Sequence, residues 1–111
     1  MSLDTFDTAR SRLASIRDRI GAAAQKAGRE PSAIQLLAVS KFHPREKIAE
    51  LLDAGQQLFG ENYVQEAKGK YEGFLLSGGV QPHFHCIGHL QRNKSKDAAR
   101  IFDCIQTVDR I

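Results

Sequence analysis

Ile34-Gln35-Leu36-Leu37-Ala38-Val39 runs directly into Ser40-Lys41. A short, nearly continuous apolar run of this kind predicts a strand buried on both faces, as in a parallel sheet. The sequence on either side supports that reading. Upstream, Leu3, Phe6, Leu13, Ile16, Ile20, Ala23 and Ala27 recur at three- and four-residue steps. They predict one amphipathic helix over about residues 3–27, with Arg10, Arg12, Arg17 and Arg19 off its apolar stripe. Gly28 and Pro31 supply its stop.

Downstream, helices and strands alternate. Pro44 opens a helix whose apolar face is Ile48, Leu51 and Leu52, and Gly55 closes it. Leu58-Phe59-Gly60 reads as a second strand. Asn62 is placed to cap a third helix with a stripe of Val64, Ala67, Tyr71, Phe74 and Leu75. After the Ser77-Gly78-Gly79 loop and Pro82, residues 83–88 read as strand three, 95–101 as a short helix and 103–108 as strand four. Strands beginning near 34, 57, 83 and 103, with helices between them, define an α/β protein of parallel βα units. The expectation is one partial domain over 1–111, with the βα units starting near 34. A closed barrel of this type takes eight strands and ~250 residues, so four strands make either a small open sheet or half of a barrel. Open sheet edges predict self-association.

Composition narrows the function classes. The 111 residues are 41% hydrophobic and 26% charged, which is ordinary globular usage. Lys and Arg exceed Asp and Glu by 16 to 13, a surplus of three that is scattered along the chain. With no helix-turn-helix, zinc finger or RNA-binding aromatic pair, no nucleic-acid partner is expected. No apolar run is long enough to span a bilayer. The N-terminus carries Asp4 and Asp7 where an export signal would be apolar. A cytoplasmic location is therefore expected, with Cys86 and Cys104 reduced and serving as small core residues.

Lys41 is the most informative chemical residue. In parallel barrels the chemistry gathers at the carboxyl ends of the strands. A lysine rooted there and partly desolvated has an amine available for Schiff-base chemistry. The plainer alternative is a solvated lysine where the chain leaves the sheet. Gly60, in Phe59-Gly60-Glu61-Asn62-Tyr63, permits close approach of a ligand, and Asn62 either caps its helix or faces an anion. His83 and His85 share one strand face, a spacing that zinc sites use. No third ligand stands at a matching strand end, so no metal is expected. Arg92, Lys94 and Lys96 either meet phosphate or form the solvated start of a helix. Walker, dinucleotide and Gly-x-Ser-x-Gly patterns are absent.

Taken in order, Leu36-Leu37-Ala38-Val39-Ser40-Lys41, Phe59-Gly60-Glu61-Asn62-Tyr63-Val64-Gln65-Glu66 and His85-Cys86-Ile87-Gly88-His89-Leu90-Gln91-Arg92-Asn93-Lys94 closely resemble the YggS/PROSC family of pyridoxal phosphate homeostasis proteins. Thr107-Val108-Asp109 resembles that family's ending of strand four. The resemblance implies the first half of a TIM-type barrel of the alanine racemase N-terminal kind. It implies pyridoxal 5′-phosphate (PLP) held as a Schiff base on Lys41, with Asn62 and His85 lining the pocket. It also implies a cofactor-holding role with no catalytic residues. The alternatives are a racemase-like PLP enzyme, a metal-dependent hydrolase built on His83 and His85, and an inactive half-barrel that self-associates.

Overall fold

The computed structural model describes residues 8–106. Helix α1 (Ala9–Lys26) leads to strand β1 (Ala38–Val39), helix α2 (Arg45–Asp53), strand β2 (Leu58–Glu61), helix α3 (Val64–Ser77), strand β3 (His83–Cys86), helix α4 (Ser95–Ile101) and strand β4 (Cys104–Ile105). The strands form one sheet in the order β1-β2-β3-β4. All three pairings are parallel, as the alternating pattern requires.

Register assigns the two faces. Ala38 pairs with Phe59, and Phe59 with Phe84; one residue on, Val39 pairs with Gly60, Gly60 with His85, and His85 with Cys104. Side chains alternate along a strand, so Phe59, Glu61, Phe84 and Cys86 share one face, and all four are fully buried. We call this the outer face, because the helices cover it. Ile48 of α2, Val64, Ala67 and Phe74 of α3, and Ala98 and Ile101 of α4 complete the core there. Phe59 and Phe84 meet edge to face, ring centroids 6.4 Å apart. Each buried aromatic contributes about 1.5–3 kcal/mol by leaving water.

The opposite, inner face is not packed in this way. Val39 is 51% exposed, and His83 is exposed as well. The strand expected over 34–39, buried on both sides, is a two-residue strand in which Ala38 is half-buried against the core and Val39 is exposed. No described element covers its other side. Gly60 is buried on the inner face: a Cβ there would come within 2.8 Å of Ile87 Cδ1 and 3.2 Å of Leu37 Cδ2.

Other boundaries also differ from the sequence pattern. Thr8 caps α1 from an extended conformation, its side chain accepting the Ser11 N–H, so the described helix begins at Ala9. Leu3 and Phe6, expected on that helix, lie outside the described residues. Its buried positions are Leu13 and Ala24, while Ile16, Ala23 and Ala27 are exposed. The stripe is rotated because two arginines belong to the docking side. Arg10 donates to the Asp53 carbonyl at 2.9 Å, and Arg17 donates to Gln56 Oε1 at 2.7 Å. Both reach the carboxyl end of α2, where helix carbonyls lack partners within the helix. Gly28 does stop α1, at φ 71°. Pro44 is the N-cap of α2 instead of its first residue. Tyr63 occupies the N-cap of α3, with no side-chain hydrogen bond, so Asn62 does not cap it. Strand three ends at Cys86, and strand four is seen at Cys104–Ile105. Thr107, Val108 and Asp109 lie outside the described residues. Cys86 and Cys104 are both free. Cys86 is core, whereas Cys104 is half-buried and faces the other side of the sheet.

Candidate functional site

Strand register places His85 on the inner face, and the other two residues selected from the sequence follow the ends of β1 and β2. His85 pairs with Gly60, which pairs with Val39. Lys41 lies in the turn two residues after Val39, and Asn62 lies in the bend two residues after Gly60, so both follow the carboxyl ends of their strands. This is the carboxyl edge of a parallel sheet, the end at which such folds bind and react. Lys41 and Asn62 are half-buried. Lys41 makes no hydrogen bond or ion pair with the described residues. His85 is half-buried, and its Nδ1 is a buried polar atom without a partner.

Asn62 is held by packing. A Cβ on Gly88 would come within 2.7 Å of the Asn62 carbonyl oxygen and 2.8 Å of its Cα. Only glycine lets the chain after β3 pass so close to the backbone after β2. Asn62 also lines a cleft of about 370 Å³ with Tyr63, Val64, Gln65, His89, Gln91 and Lys94. Lys41 and His85 do not line that cleft, so it does not unite the three.

The bend that presents Lys41 has unusual backbone geometry. Phe42 has φ 66°, the left-handed region that a bulky residue seldom occupies. Its ring is 73% exposed and lies 5.5 Å from that of Tyr63, centroid to centroid. Behind the bend, on the outer face, lies a polar group that the sequence reading did not single out. Ser40 is buried and donates its hydroxyl to Glu61 Oε2. Lys70, also buried, donates to the Ser40 carbonyl at 2.8 Å and to Glu61 Oε2 at 2.8 Å. It pairs with Glu66 Oε2 at 3.0 Å, and the same oxygen accepts the Phe42 N–H at 2.6 Å. Two sequence signals pointed to this group. Glu61 shares strand parity with Phe59, and Lys70 lies on the α3 face of Val64, Ala67 and Phe74, four residues after Glu66.

His83 does not join His85 around a common centre. Its Nδ1 lies 3.0 Å from Asp103 Oδ2, with both side chains about half exposed. Among the described residues no three His, Cys, Asp or Glu side chains gather as a metal site would need. Of the basic cluster, Arg92 and Lys96 are exposed where the chain enters α4, and Lys94 lines the Asn62 cleft.

A parallel βα sheet in this order, with a lysine after its first strand that has no partner among the described residues, matches the N-terminal part of a TIM-barrel fold. The structure of PipY from Synechococcus elongatus PCC7942 with PLP bound superposes with a TM-score of 0.77 at 39% identity, covering 93% of this chain and 43% of that one. The pyridoxal phosphate homeostasis protein of Escherichia coli strain K12 is 52% identical over 99 residues, 89% of this chain and 42% of that protein. The protein of the same name from Pasteurella multocida is 47% identical over 103 residues, 93% of this chain and 44% of its own. No family model matches. Over the residues it spans, the chain is similar to proteins named pyridoxal phosphate homeostasis protein. It covers less than half the length of these relatives.

Proposed function

We propose that the chain holds PLP covalently on Lys41, at the carboxyl edge of the sheet, with Asn62 and His85 beside it. The observation that carries this is an amine at that edge with no partner among the described residues, in a chain similar to PipY, which is solved with PLP. The donor set suits the group. PLP supplies an aldehyde, and Lys41 Nζ adds to its carbon with loss of one water. His85 Nδ1 is a buried atom in need of a polar partner on the inner face. Asn62 offers an amide donor and acceptor after the next strand of the sheet. The role is to hold and release the cofactor in the cytoplasm, with no reaction catalysed on it. The names of the relatives support this role. Among the described residues no helix is long and apolar enough to cross a membrane.

Borohydride reduction after incubation with PLP, followed by intact mass and peptide mapping, tests the proposal. One adduct on the Lys41 peptide, absent from Lys41→Ala, is the expected result. Labelling spread over exposed lysines, unchanged in Lys41→Ala, would reject it.

A further inference from the structure

We infer that Glu66 and Lys70 are positioning residues for Lys41, acting through the backbone from the helix-covered side of the sheet. The inference rests on the PLP reading above. The Ser40 carbonyl belongs to the peptide group before Lys41, and the Phe42 N–H to the one after it. Lys70 Nζ holds the first at 2.8 Å, and Glu66 Oε2 holds the second at 2.6 Å. Fixing both flanking peptide planes fixes the two backbone dihedrals of Lys41. The side chain is then launched in one direction while its amine stays unpaired.

The clamp is itself tightly held. Lys70 has three ammonium protons, and Ser40 O, Glu61 Oε2 and Glu66 Oε2 offer three acceptors within 3.0 Å. Lys70 is thereby occupied and does not compete with Lys41 for an aldehyde. The left-handed φ of Phe42 is a conformation that costs energy and persists only when its surroundings hold it. The hydrogen bond to Glu66 holds it together with the turn-closing bond from the His43 N–H to the Ser40 carbonyl at 3.0 Å. None of these carboxylates is placed beside PLP, so none is a catalytic residue.

Glu66 is partly exposed, so its variants should fold, and circular dichroism melting checks that they do. In Glu66→Ala the Phe42 N–H loses its acceptor, whereas Glu66→Gln keeps an oxygen there. Two readouts apply to the 111-residue chain. The first is amide hydrogen exchange at Phe42, which needs no cofactor. The second is the PLP concentration that half-saturates borohydride-trapped adduct on Lys41. Fast exchange at Phe42 and a roughly tenfold higher half-saturating concentration are expected for Glu66→Ala. Glu66→Gln should stay close to the parent in both. If exchange at Phe42 is freed in Glu66→Ala while half-saturation is unchanged, the positioning role is overturned and the PLP reading stands. If the parent acquires no adduct on Lys41 at any concentration, the PLP reading fails and this inference with it.

Discussion

His85 and Gly88 show two ways in which single residues shape the inner face. His85 carries a buried Nδ1 with no partner, a destabilising feature unless a ligand completes it. Replacing His85 with Leu removes the unsatisfied atom. Thermal melting should therefore show the variant to be as stable as the parent or more so without PLP, and to lose the rise in Tm that PLP gives the parent. A lower Tm without PLP would mean that the ring is structural. Gly88 has the opposite character. A methyl group there meets the backbone of Asn62, which cannot swing aside as a side chain can. Gly88→Ala should cost about 1–3 kcal/mol in urea unfolding and displace Asn62. Gly73 supplies the contrast: its nearest neighbour is the flexible Arg45 side chain, so Gly73→Ala should be mild.

Between elements, polar side chains do much of the joining. Gln56 is buried between α2 and β2. Its amide donates to the carbonyls of Leu36 at 2.6 Å and Leu58 at 2.9 Å while its oxygen accepts from Arg17. Gln56→Leu strands these groups, and urea unfolding should show a loss of about 1–3 kcal/mol. Lys70→Met leaves Glu61 buried beside no cation and should cost more, about 3–5 kcal/mol by the same measurement. These joints were the least legible part of the sequence. Apolar periodicity located four strands and four helices, because burial sets where Ile48, Phe59, Phe74, Phe84 and Ile101 must recur. The same rule is silent on buried lysine and glutamate, so Glu61, Glu66 and Lys70 were not singled out. Arg10 and Arg17 were placed off the α1 stripe for the same reason. Lys41, Asn62 and His85 were selected because motif order is a sequence property. Their place at the carboxyl ends of the strands follows from the βα order, but the bend at Phe42 left no mark, since aromatic residues do not advertise a left-handed backbone.

At the scale of the whole molecule, the described residues form a sheet with one side covered by helices and two short outer strands. Among the described residues β1 and β4 are its edges, each two residues long. Unpaired edges of this kind recruit further strands. For the 111-residue chain prepared alone we propose that a second copy pairs with these edges, so sedimentation velocity should show a mass that rises with concentration. A single monomeric species throughout would remove that expectation. The one-sided core has another consequence, for how the sequence is free to vary. Along β3, Phe84 and Cys86 are fully buried while His83 and His85 are not. Neighbouring codons should therefore differ sharply in the substitutions they accept. A saturation library sorted only for cellular abundance would show depletion at 84 and 86 and wide acceptance at 83 and 85. Sorted for retained cofactor, the same library would bring 85 into the depleted set. Two selections on one strand would thus separate the demands of folding from those of ligand binding, residue by residue.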